Sequence, residues 1–121
     1  MLKTLQTDFD RASRAYCDTH GFTRDADWYI LKLQEEVGEL TQAWNRLSGR
    51  ARLKDVPADR MHRDLEDEAA DVLGHILLLA ERHDLDLAAA IQRKWRFAPR
   101  DPDTPTDGDT TRDADAAGPP P

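Results

Sequence analysis

Leu31-Lys32-Leu33-Gln34-Glu35-Glu36-Val37-Gly38-Glu39-Leu40 and Glu68-Ala69-Ala70-Asp71-Val72-Leu73 are the stretches on which the reading of this chain turns. In each, two acids stand three residues apart, so both project from one helical face. Apolar residues recur around them at threes and fours: Leu33, Val37, Leu40, Trp44 and Leu47 in the first region, Leu65, Ala69, Val72 and Ile76 in the second. That period belongs to amphipathic helices. Glu36 with Glu39, and Glu68 with Asp71, then fall on the margin of an apolar stripe, where carboxylates suffer desolvation unless paired or coordinated. Two such pairs face to face would set four carboxylates around one small volume. Hard oxygen ligands at that density suit Mg²⁺ or Mn²⁺. The expectation is an all-α protein, a helical bundle built around a divalent cation.

Working outward, the sequence predicts four helices. The first covers about residues 2–19, with Leu2, Leu5, Phe9, Ala12 and Tyr16 on one face and Gly21 as its stop. Asp25 or Asp27 can cap the second, which runs to about Leu47. Residues 48–56 read as a polar connector, and Pro57 suits the first turn of a third helix reaching about His83. Leu73, Leu77, Leu78 and Leu79 widen its apolar face beyond one seam, which points to burial against another subunit. Asp84 or Asp86 caps a short fourth helix ending near Phe97. From Ala98 the composition changes: every proline but Pro57 lies there, among Asp, Thr, Gly and Ala without apolar periodicity. Residues 1–97 are thus expected to be the domain and 98–121 a disordered tail.

The totals narrow the function. The net charge is −7, of which the tail holds −4 (six Asp against Arg100 and Arg112), leaving the body at −3. No basic stripe offers itself to a nucleic-acid backbone, so no nucleic-acid partner is expected. An anionic small molecule remains compatible, because a bound cation overrides the local sign. The single cysteine, Cys17, excludes an intrachain disulfide framework and reads as a partly buried helix residue. No run reaches transmembrane length and no secretory leader is visible, so the expected setting is cytoplasmic, without a membrane partner.

The string from Leu31 to Leu40, followed by Glu68 to Leu73, Asp86-Leu87 and Lys94-Trp95, resembles the MazG-type nucleotide pyrophosphohydrolases of the all-α nucleoside triphosphate pyrophosphatase superfamily. The resemblance covers about residues 28–97 and rests on Glu-x-x-Glu, a spacer, then Glu-x-x-Asp. It implies a four-helix MazG-like bundle that oligomerises, as a dimer or a tetramer. It also implies a need for Mg²⁺, with Mn²⁺ as a substitute, and cleavage of a nucleoside triphosphate to the monophosphate and pyrophosphate. Glu36, Glu39, Glu68 and Asp71 would then be the metal ligands. One position departs from the pattern: members often carry Asn ten residues after the final Asp, where this chain has Glu81.

Other residues take roles from their chemistry. Lys32 or Lys94 could bind a phosphate, and each also reads as a surface lysine. Glu35 could orient the attacking water, or be an exposed acid. Trp28 and Trp95 are candidates for stacking on a base, while Trp44, within the apolar stripe, reads as core. His75 could touch metal or substrate, though it reads first as a solvated or hydrogen-bonded histidine. The expected activity is Mg²⁺-dependent pyrophosphohydrolysis of a nucleoside triphosphate in house-cleaning of the nucleotide pool. The alternatives are a non-catalytic helical adaptor that keeps the metal site, and a phosphoribosyl-ATP pyrophosphohydrolase.

Overall fold

A computed structural model describes residues 1–50 and 55–99. Among them the chain is entirely helical, with α1 at Leu2–His20, α2 at Trp28–Leu47, α3 at Ala58–His83 and α4 at Leu87–Trp95. The tail expected to be disordered lies outside the described residues from position 100 onward. None of these helices is long and apolar enough to cross a membrane.

Local chemistry sets the helix ends. Gly21 closes α1 in the left-handed region at φ 73°, its N–H donating to the Cys17 carbonyl. A residue with a Cβ would be strained there. Asp27 occupies the N-cap position of α2 but makes no side-chain cap. The capping is done by Asp25, whose Oδ1 accepts from the backbone N–H of Asp27 at 3.1 Å and Trp28 at 2.9 Å. Pro57 precedes α3 with extended backbone. Asp84 ends that helix in the left-handed region, and Asp86 caps α4 by accepting from Ala89 N–H at 3.0 Å.

α3 is the central element, packed against α2 on one side and α1 on another. Tyr29, Ala43, Leu77, Leu78, Ala80 and Cys17 form the buried apolar core, joined by two polar residues, Gln6 and Glu36. The phase of α2 differs from the expected stripe. Its inward line runs through Tyr29, Glu36 and Ala43, each seven residues after the last, with Leu33 and Leu40 half-buried between them. Val37 and Trp44, expected within the stripe, are 39% and 48% exposed. The helix is rotated toward its acids, so Glu36 sits inside the buried face rather than at its margin.

Two tertiary ties hold α1. Gln6, buried, donates from Nε2 to Glu81 Oε2 at 3.1 Å, which accounts for the acid at position 81 as a partner for α1. Arg24 reaches back from the α1–α2 turn to Asp10 Oδ1 at 3.0 Å and Ser13 Oγ at 3.2 Å, its guanidinium lying over the Tyr29 ring. On the far side of α3, Leu73 and Ile76 stay partly exposed beside α4, at 45% and 37%.

Candidate metal centre

The α2–α3 pair brings three of the four expected ligands together. Glu36, Glu39 and Glu68 each offer a carboxylate oxygen lying within 4.8 Å of the others. Their environments are graded: Glu36 is buried, Glu68 half-buried and Glu39 exposed. Asp71, one turn beyond Glu68, is exposed and lines the adjoining cleft together with Glu36. Its charge acts on both Glu36 and Glu68.

The electrostatics follow from that crowding. Burial, reinforced by Glu39 and Asp71, pushes the Glu36 carboxyl up to about 7, with Lys32 opposing. Glu68 is also raised, first by desolvation and then by Glu39 and Asp71. Buried carboxylate oxygens ordinarily have partners. Among the described residues, Glu36 Oε2 and Glu68 Oε2, both buried, have none. Orphaned acceptors on two convergent acids are what a cation would satisfy, and an all-oxygen donor set suits a hard ion.

Beside the acids opens a cleft of about 400 Å³, within the usual range for small-molecule sites. Glu36, Asp71, Lys32 and His75 give it polar chemistry, and Phe9 and Trp28 give it aromatic surface. Trp28 stands edge-on to Tyr29 at 5.1 Å between ring centroids and lies 6.0 Å from the His75 ring. α1 supplies a whole wall through Phe9, Ala12, Ser13, Tyr16 and Cys17. The three-and-four spacing of Phe9, Ala12 and Tyr16 marks that face in the sequence, but nothing local says what it covers.

The other sequence candidates divide. Lys32 lines the cleft and lies 3.5 Å from Glu35 Oε2. Glu35 itself has a side chain 58% exposed and is not among the residues of the cleft. Lys94 and Trp95 lie elsewhere, in a separate groove of about 320 Å³ between α3 and α4 that also contains Leu73 and Ile76. They are distant in kind from the acids because α4 flanks the opposite side of α3. His75 differs from the expectation of a solvated or hydrogen-bonded ring. Its side chain is only 17% exposed, and its buried Nδ1 has no partner among the described residues.

No protein-family model matches the chain, and no curated protein or solved structure is significantly similar to it.

Proposed function

We propose that this chain is a divalent-cation-dependent pyrophosphohydrolase that splits a nucleoside triphosphate into monophosphate and pyrophosphate. One observation carries the reading: three glutamates from two helices converge beside a cleft that also offers a lysine and a tryptophan. The Glu-x-x-Glu and Glu-x-x-Asp resemblance to the MazG-type enzymes supports it from the sequence side.

In this reading Glu36, Glu39, Glu68 and Asp71 hold Mg²⁺ or Mn²⁺. The bound cation supplies charge neutralisation at phosphate oxygens and a more acidic water. The chain's own residues do the rest. Glu36, raised to about 7, gives up its proton as the cation enters, so loading improves as pH rises through neutrality. Lys32, one end of the cleft's charge, takes a phosphate oxygen. Trp28 presents a ring on which a base can stack. Glu35, outside the cleft, acts on Lys32 by pairing with it rather than on the water. Water adds across the α–β anhydride, that bond breaks, and the products leave as two anions.

The proposal includes self-association. Leu73, Ile76 and Trp95 remain partly exposed around the α3–α4 groove, and a second copy covering them would remove that apolar surface from water.

The test is a panel of ribo- and deoxyribonucleoside triphosphates, with phosphoribosyl-ATP, incubated with the protein and Mg²⁺. Pyrophosphate and phosphate are measured separately. The expected result is pyrophosphate without phosphate from at least one triphosphate. Cation binding with no product from any of them would favour the adaptor. Product from phosphoribosyl-ATP alone would reassign the substrate.

A further inference from the structure

His75 has no hydrogen-bond partner at either ring nitrogen among the described residues. Nδ1 is buried and unpartnered. Nε2 lies 3.8 Å from Glu36 Oε1, beyond hydrogen-bond reach. The Glu36 side chain opposite is itself 9% exposed, and its other oxygen is also orphaned. A mostly buried imidazole and a mostly buried carboxylate therefore face each other at ion-pair distance without a hydrogen bond, each with unused bonding capacity. Native interiors rarely leave such groups idle.

The separation fits a shared ion. Metal–ligand bonds of about 2.1 Å hold two ligands of one cation about 3 to 4 Å apart, according to the angle between them. We infer that His75 and Glu36 form a nitrogen-containing position for a second divalent cation, with Glu36 shared between it and the carboxylate cluster. The inference rests on the proposed carboxylate centre and adds to it a ligand type that changes which ion is preferred.

Mg²⁺ favours oxygen ligands and keeps its waters, whereas Mn²⁺ and Co²⁺ accept imidazole nitrogen. The second position therefore prefers Mn²⁺ or Co²⁺ to Mg²⁺. Charge permits two ions. The carboxylates of Glu36, Glu39, Glu68 and Asp71 still exceed one divalent ion and Lys32 together. Lys32, the cation that would compete, has a partner in Glu35.

The experiment loads the full chain with Mn²⁺ and reads pulsed electron paramagnetic resonance for nitrogen coupling. Wild type should show a directly bound imidazole nitrogen. His75→Gln should lose it, bind the second Mn²⁺ equivalent at least about tenfold more weakly, and bind Mg²⁺ as wild type does. A melting curve on the variant verifies that it is folded, and the wild-type spectrum decides the matter without it. Mn²⁺ bound in purely oxygen surroundings would overturn the inference while leaving the carboxylate centre standing. A chain that binds no Mn²⁺ at all would overturn both.

Discussion

Gly74 lies against the ring of Phe9: a Cβ placed at 74 would come within 2.6 Å of Phe9 Cε1 and 2.8 Å of Cδ1. The contact lets α1 approach α3 at a distance no side chain would permit, and it fixes the back of the cleft. Gly74→Ala should destabilise the chain by about 1 kcal/mol, overpacking of about 2 offset by about 1 of helix propensity. In a Phe9→Ala background the same substitution should become neutral or stabilising. Denaturant titrations of the wild type and the three variants form the cycle that checks it.

Metal-free protein should lose stability as pH rises. Burial lifts Glu36 from an ordinary 4.5 to about 7, and Glu68 is raised as well. The folded chain retains protons that the unfolded chain has released. The contribution of Glu36 is complete below about pH 4.5 and is gone once pH has passed about 7, and that of Glu68 runs in the same direction. His75 works oppositely. Burial and Lys32 lower its pKa, so its contribution is complete above its ordinary 6.5 and is lost as pH falls through the lowered value. Two raised acids outweigh one lowered base. Chelator-treated protein should therefore be less stable at about pH 8 than at about pH 5, by on the order of 2 kcal/mol. Glu36→Gln should flatten that slope in circular-dichroism melts.

A cation should reverse the trend. Mg²⁺ at a hundred times its dissociation constant should stabilise the chain by about 2.7 kcal/mol, the more so at higher pH where the carboxyls need not be deprotonated first. Alanine at Glu36, Glu39 or Glu68 should abolish most of that gain and cut pyrophosphate release at least about a hundredfold. The same variants should melt no lower than wild type without metal, because mutual repulsion is relieved. A variant that kept both activity and Mg²⁺ stabilisation would remove its residue from the centre.

Self-association should depend on the α3–α4 groove and not on the acids. Leu73→Glu with Ile76→Lys should convert the protein to a monomer by light scattering at micromolar concentration, with the helical content unchanged. A monomeric wild type at that concentration would end the oligomer proposal.

The helices were legible in the sequence because their ends are local events. Gly21, Pro57 and Asp86 act on neighbouring backbone; Gly21 and Asp86 stand where the pattern puts them, and Pro57 stands one position earlier, at the N-cap rather than in the first turn. The phase of α2 was not. Hydropathy favours Val37 and Trp44 as inward residues over a glutamate, and only the packing against α3 reveals Glu36 as the buried one. The convergence of Glu36, Glu39 and Glu68 could be anticipated from matched spacing on two helices. The separation of Lys94 and Trp95 from the cleft could not, since it depends on which flank of α3 receives α4. The Gln6–Glu81 bond joins residues 75 positions apart and leaves no local trace.

α1 walls the cleft yet contributes none of the clustered acids, and this divides the molecule into two parts of different permanence. The carboxylate spacing belongs to α2 and α3 alone. α1 is fastened by the Phe9 ring, the Gln6–Glu81 bond and the Arg24 tie to Asp10 and Ser13. Those fastenings should release as a unit, admitting a large anion to the cleft while the acids keep their mutual distances. Amide hydrogen exchange should record this as a hierarchy: the α1 amides open together at low free energy, and those around Glu36 and Glu68 exchange only when the whole chain unfolds.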